Sequence, residues 1–313
     1  MRIGLVVDSS CDLPQDFREQ HDVRVLPVTI RIGQDRLLDQ QDPQAALEFY
    51  RSELGARGAD AESLPFAADQ IAELFLDELI GDFDYVFCQT VSRTRSSIFE
   101  NATKASFTIL SEYRDYLSGA ARSTPFAMRV LNTGTFFSGQ GVIAAETVRM
   151  IEAGYSPAEI RERLDHLVGA VRAYAIPQDV YYLRARARAK GDRSMGLFTA
   201  ALASTLDIKP IIRGQQDHTE VVARVRGFDN AVERVLNQLR KQVERGLDAP
   251  FVGLSYAGEL ECMRLLPGYA ELAQVCAEQE VTLLESVMNV TGGVNLGPGT
   301  LSAAILAKSH EFQ

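Results

Sequence analysis

Short apolar runs rich in β-branched residues alternate along the chain with longer segments whose apolar positions recur every three to four residues. The runs cover residues 3–7, 25–30, 85–88, 128–131, 208–212, 221–225, 251–254 and 282–284, lengths that suit strands. The periodic segments cover 67–80, 97–117, 139–152, 157–171, 229–245 and 300–307, and their spacing predicts helices. Alternation of the two predicts an α/β fold in which helices cover a mainly parallel sheet. Gly154-Tyr-Ser-Pro157 reads as a turn followed by a helix start, with Ser156 as N-cap and Pro157 at the first helical position. We expect two domains. The first, residues 1–165, carries a mainly parallel sheet flanked by helices, and the second, residues 166–313, is also α/β.

Composition narrows the function classes. The 313 residues are 46% apolar and 24% charged, an ordinary globular balance. Thirty-two basic against 42 acidic residues leave a formal charge of −10, a field that repels nucleic-acid backbones and anionic membrane surfaces. Cys11, Cys88, Cys262 and Cys276 lie far apart without metal-ligand spacing, so neither a structural zinc nor a disulfide framework is expected. The apolar run at 3–7 ends at Asp8, short of the roughly 7–15 apolar residues of a signal peptide. No stretch reaches the ~18 apolar residues of a membrane span. A cytoplasmic protein with no stable membrane insertion is the expectation.

Candidate chemistry concentrates in segments 8–10, 90–97, 132–141 and 291–299, all rich in hydroxyls, glycine or both. In an open α/β sheet such segments gather at the carboxyl edge, where helix N-termini favour an anionic group. Each alone is equally what helix capping and turns demand. The phosphate-cradling G-x-x-x-x-G-K-[ST] and G-x-G-x-x-G patterns are missing. His21, His166, His218 and His310 all fall outside these segments, which removes the usual base for a serine or cysteine nucleophile. Asp8 ends the first strand as an aspartyl-phosphate nucleophile would, yet Ser10 stands where a second acid would serve.

The order of several short patterns resembles the DegV family, the fatty-acid-binding subunits of bacterial fatty acid kinase. They are Val6-Val-Asp-Ser-Ser10 with Asp12-Leu-Pro14, Val25-Leu-Pro-Val28, Ser63-Leu-Pro65, the segment 92–102, Ser138-Gly-Gln-Gly141, Tyr182-Leu183 with Gly191-Asp-Arg193, Leu206-Asp-Ile-Lys-Pro210, Val225-Arg-Gly227 and Gly297-Pro-Gly299. The resemblance implies a two-domain fold with a fatty acid between the domains, its carboxylate near the N-terminal loops and a kinase as partner. No cofactor and no metal are implied.

Carried over residue by residue, the carboxylate-binding serine of the family falls on Ser96, with Ser97 and Ile98 replacing the glycine and threonine that follow it. The family's Thr-Ser-Gln-Pro turn reads Glu62-Ser-Leu-Pro65, so Glu62 stands where a threonine donor is implied, with Ser63 as its substitute. Asn295 replaces a histidine, and Asn132 an aspartate. Asp8, Ser9, Ser92, Ser138, Gly139, Gly297 and Gly299 belong to the supporting loops. Arg184, Arg186, Arg188, Lys190 and Arg193 form a candidate kinase-docking patch. On a helix, positions two apart point about 200° from one another, whereas on a strand they share a side. Burying roughly 14 methylenes at about 0.8 kcal/mol each supplies about 11 kcal/mol gross, so polar contacts have only to orient the ligand. At ~4 Å from a ligand carboxylate, Glu62 would be repelled by about 4 kcal/mol at an effective dielectric of 20. It must turn away, share a proton, or face a neutral head group. The alternative function is a small-molecule enzyme using Asp8, Glu62 and Ser96 at the same edge.

Overall fold

The computed structural model describes residues 1–52, 61–117, 125–189, 207–308 and 312. Its elements run β1 (Ile3–Asp8), α1 (Gln15–Gln20), β2 (Val23–Leu26), β3 (Val28–Ile32), β4 (Asp35–Asp39), α2 (Pro43–Arg51), β5 (Ala61–Pro65), α3 (Ala68–Glu78), β6 (Tyr85–Thr90), α4 (Ile98–Tyr116), β7 (Ala127–Asn132), α5 (Ser138–Glu152) and α6 (Pro157–Ala170). There follow β8 (Val171–Ile176), α7 (Val180–Ala189), β9 (Ile208–Gln215), β10 (His218–Arg226), α8 (Phe228–Arg245), β11 (Phe251–Tyr256), α9 (Leu260–Arg264), α10 (Tyr269–Glu278), β12 (Thr282–Val287), α11 (Val290–Leu296) and β13 (Leu301–Leu306).

The described strands form three sheets. The first has the order β2-β1-β6-β7 and is parallel throughout, because each crossover contains a helix. A small antiparallel sheet, β4-β3-β5, hangs beside it. The third is six-stranded, β10-β9-β8-β13-β11-β12, with only the β11–β12 pair parallel. The expected α/β architecture is present, with a parallel N-terminal sheet and a mixed C-terminal one. Strands pass from the first sheet to the third between Asn132 and Val171, and residue 165 lies inside α6.

Residues 300–307, expected as a helix, form the central strand β13, whose six residues are all buried. A strand covered on both faces loses its polar alternation, so Leu301-Ser-Ala-Ala-Ile-Leu306 carries no period that separates it from a buried helix.

Helix α5 joins the two large sheets. It packs on β1 and β6 on one side and on β8, β11 and β13 on the other, and twelve of its fifteen residues are buried. Its small residues permit that approach. A Cβ on Gly141 would stand 2.2 Å from the carbonyl oxygen of Asp12. The buried Glu146 carboxylate is paired with Arg149 at 2.6 Å and Arg163 at 3.1 Å, as a charge so placed requires. On the far face of the third sheet, α8 turns Ala231, Val232, Val235, Leu236, Leu239 and Val243 into a second core. No described helix is long and apolar enough to cross a membrane.

Candidate functional site

All four hydroxyl- and glycine-rich segments contribute to one cavity of about 350 Å³, a size usual for ligand pockets. It lies at the carboxyl ends of β1 and β6, between the small sheet, α11 and the β8–β10 side of the third sheet. Val28, Val91, Ile98, Phe136, Phe137, Ala175, Ile212 and Leu296 make most of its wall apolar. Asp8, Ser10, Ser63, Thr94, Arg95, Ser96, Ser97, Arg186, Thr219, Thr291 and Asn295 supply its polar groups.

Strand β1 delivers Asp8, which is 1% exposed. Its carboxylate accepts the backbone N–H of Ser10 at 2.8 Å and of Val91 at 2.6 Å, and the Ser10 hydroxyl. Burial pushes the Asp8 carboxyl up, and these hydrogen bonds oppose the shift. The Gln140 amide stands 2.8 Å from Ser10 Oγ. Asp8 therefore ties the first loop to the loop after β6.

That second loop carries Ser96, whose Oγ accepts the Ile98 N–H at 3.2 Å. The oxygen caps α4, and its hydrogen remains to donate into the cavity that it lines. Ser97 also lines the cavity, at an exposed position where α4 starts, and its side chain makes no capping bond. Asn295 lies one turn beyond Thr291 on α11 and donates to the Thr291 carbonyl at 2.7 Å. Thr291 donates from its backbone N–H at 2.7 Å and its hydroxyl at 2.6 Å to the buried Asp39.

Arg186 stands apart. Tyr182, Leu183 and Arg186 lie on one stripe of α7, with exposures of 6%, 1% and 3%. Tyr182 anchors that stripe by donating to the carbonyls of Gly293 and Val294 at 3.1 Å. Arg186 Nη1 donates to the Ala61 carbonyl. Its Nε and Nη2, both buried, meet no hydrogen-bond partner among the described residues. Burial holds its guanidinium below the usual arginine value. A cation thus lines a largely apolar cavity, with the N–H groups of two nitrogens unpartnered among the described residues.

Residues 2–308 match the family model described as "Uncharacterised protein, DegV family". The chain belongs to the DegV family. A DegV domain-containing protein of Xanthomonas campestris pv. campestris is 48% identical over 312 residues, covering 100% of this chain and 99% of that one. DegV of Bacillus subtilis, a fatty acid binding protein, superposes with a TM-score of 0.75 at 20% identity, over 98% of this chain and 100% of its own. A stearic acid-binding protein of Eubacterium ventriosum gives 0.74 at 20% identity, over 97% and 98%. These likenesses establish the DegV fold.

Measured against the DegV expectations, two sets of residues need correction. Glu62 does not reach the cavity. Successive strand residues face opposite ways, so Ser63 lines the cavity while Glu62 turns outward and pairs with Arg31, its neighbour across the β3–β5 ladder. Both side chains are about half exposed, at 45% and 47%. Turning away is thus the outcome among the three open to Glu62. Glu62→Thr is accordingly expected to leave fatty acid affinity unchanged within about twofold, since an exposed pair contributes little; titration calorimetry on delipidated protein checks it.

The second correction is Arg186, expected in an exposed docking patch and found buried against the cavity. Residues 180–189 form a helix, so the Arg/Ala alternation does not line one side. Only the helical backbone of Arg184 and Arg188 is described, and Lys190 and Arg193 lie outside the described residues.

Of the supporting residues, Asp8 lines the cavity itself and the others act one step back from it. Ser9 accepts the Val28 N–H at 2.8 Å and donates to the Asp39 carbonyl. Ser92 donates to Asp217 at 2.8 Å. Ser138 bonds Ser302 at 2.6 Å, linking α5 to β13. Gly139 packs closely on Thr135 and Ala173, while Gly297 and Gly299 hold positive φ in the turn before β13. Thr94 and Arg95 sit within a segment already singled out. Thr219, on a distant hairpin, gives no local sign of its place. For Arg186 the sign was the i, i+1, i+4 spacing of Tyr182, Leu183 and Arg186.

A second buried carboxylate, Asp12, joins the sheets. It accepts the Asn289 backbone N–H at 3.1 Å, the Asn289 amide and the Ser255 hydroxyl. Burial pushes its pKa up to about 7 against these hydrogen bonds. The folded chain therefore holds an extra proton between about pH 4 and 7, and stability falls as pH rises through that window. Asp12→Asn keeps the shape, accepting from Asn289 and donating to Ser255. Urea unfolding should show the variant losing on the order of 2–3 kcal/mol less than the parent between pH 5 and 8.

Proposed function

We propose that this protein binds one long-chain fatty acid or closely related acyl lipid between a first domain, residues 1–165, and a second, residues 166–313, in the cytoplasm. It presents the head group to a partner fatty acid kinase for acyl phosphate formation. The observation that carries the reading is Arg186: a buried guanidinium with two nitrogens unpartnered among the described residues, lining a cavity of largely apolar wall. Leaving buried donors of a cation unpaired is costly, and an anionic head group on an apolar tail relieves that cost while filling the rest of the space. Ser96, Ser63, Ser97 and Asn295 complete the head-group end. Fatty acid binding by the Bacillus and Eubacterium proteins, which share the fold, supports the same ligand class.

Catalysis belongs to the partner in this reading, and neither cofactor nor metal is required. Among the described residues no group of three or more metal-ligating side chains comes together. The enzyme alternative needs Glu62 beside Asp8 and Ser96, and Glu62 faces the other side of β5. Arg184, Arg188, Lys190 and Arg193 remain the docking candidates. Lipid extraction of recombinant protein followed by mass spectrometry tests the reading. A stoichiometric free fatty acid is the expected result; absence of any acyl compound, or a neutral lipid only, overturns it.

A further inference from the structure

The cavity has one wall built by two parts of the chain more than a hundred residues apart. Thr94, Arg95 and Ser96 come from the loop after β6, and Ile212 and Thr219 from the β9–β10 hairpin. The tip of that hairpin is Gln216-Asp217, both at positive φ, +49° and +65°. Two successive left-handed non-glycine residues are unusual, although the hairpin twist asks for that turn. Strain of this kind persists where surrounding contacts hold it.

Here the contacts converge on Asp217. Its carboxylate accepts from Ser92 Oγ at 2.8 Å and from Asn132 Nδ2 at 2.9 Å, and pairs with Arg93 Nε at 2.9 Å. Its carbonyl accepts the Thr94 hydroxyl at 2.8 Å, and its N–H donates to Gly134 at 3.0 Å. Nearer the cavity, Arg95 Nε donates to Thr219 Oγ1 at 3.0 Å. These partners of Asp217 belong to the loop that carries Ser96, to the end of β7 or to the turn after it. Two residues before the tip the contact changes character: Phe136 lies on Gly214, where a Cβ would come within 2.1 Å of the ring, and β9 pairs there with β8.

We infer that Asp217 is the latch of this wall, a positioning residue that holds the 92–97 loop against the hairpin and so sets how fast a ligand enters and leaves. Hydrogen bonds and an ion pair near the surface exchange readily with water. The 92–97 loop can therefore part from the tip while the packing of Phe136 on Gly214 and the pairing of β9 with β8 hold the hairpin in place. The acyl ligand in this inference rests on the function proposed above; the latch itself does not.

The test is Asp217→Gly, which suits the positive φ and removes the side chain with its carboxylate while keeping the backbone groups that bond Thr94 and Gly134. Stopped-flow fluorescence with cis-parinaric acid should show association and release both faster by at least about fivefold, with the dissociation constant changed by less than about threefold. In ligand-free protein, hydrogen exchange at residues 92–97 should rise while that in α8 stays as it was. Unchanged rates, or unchanged exchange at 92–97, overturn the latch. Faster release with unchanged association also overturns it, because Asp217 would then hold only the bound state. If the parent protein takes up no cis-parinaric acid, the acyl reading fails and the exchange experiment alone decides the latch.

Discussion

Arg186→Met is expected to weaken binding of a long-chain fatty acid roughly a hundredfold while making the ligand-free protein more stable. The two effects have opposite signs for one reason. In the empty protein the guanidinium is desolvated, with one donor used on the Ala61 carbonyl and two nitrogens unpartnered among the described residues. Replacing a poorly compensated buried charge with an apolar side chain of similar length is neutral or stabilising by about 1–4 kcal/mol. With a carboxylate in place, the same nitrogens make charged hydrogen bonds of about 1.5–3 kcal/mol each, and methionine forfeits them. Calorimetric titration against palmitate, paired with urea unfolding of delipidated protein, reads both signs. A loss of stability together with unchanged affinity would make Arg186 a structural clamp on β5. The fatty alcohol of the same length should lose far less affinity than the acid, because it brings no charge to the guanidinium.

The second large effect is expected at Gly141. Gly141→Ala should lower stability by about 3 kcal/mol or more, since overpacking against backbone has no side chain to displace. The added carbon would meet the Asp12 carbonyl at 2.2 Å. Relief requires the loop after β1 to move off α5. That movement pulls on the Cys11–Phe137 bridge and the Asp12 N–H bond to the Phe137 carbonyl. It also disturbs the Asp8 and Asp12 networks, so ligand affinity should fall with stability. Gly81→Ala is the control: nothing lies within 4 Å of its Cβ position, and a change within about 0.5 kcal/mol is expected. Thermal unfolding followed by circular dichroism compares the two.

The parallel strands β1, β6 and β7 and the helices after β6 and β7 were legible in the sequence because their apolar runs and periodic faces differ in length and spacing. The segments that line the cavity were legible as well: hydroxyls and glycines at the ends of strands have few other places to go. Four such segments, at 8–10, 90–97, 132–141 and 291–299, do meet around one space. Ser96 illustrates both halves of the matter. Its position after β6 and before α4 follows from local pattern, yet that pattern serves equally for a helix cap, and in the structure Ser96 is a cap and a cavity wall at once.

Other features depended on packing that no local pattern encodes. Ser63 and Glu62 differ by one position on a strand, and only the pairing of β5 with β3 decided which of them faces the cavity. The arginines between 184 and 188 share a composition, but helix geometry and the Tyr182 anchor sent Arg186 inward. Residues 301–306 became a strand because the third sheet is covered on both faces, which erases the alternation that would have marked them. Thr219 and Asp217 reached the site from a hairpin more than a hundred residues beyond the loop they hold. The chain's own pattern thus determined the α/β class and which segments crowd the sheet edge, since those follow from periodicity and turn chemistry. Tertiary structure decided which side chains face the cavity and which cation is left in need of a partner, since facing is set by register and burial between segments remote in sequence.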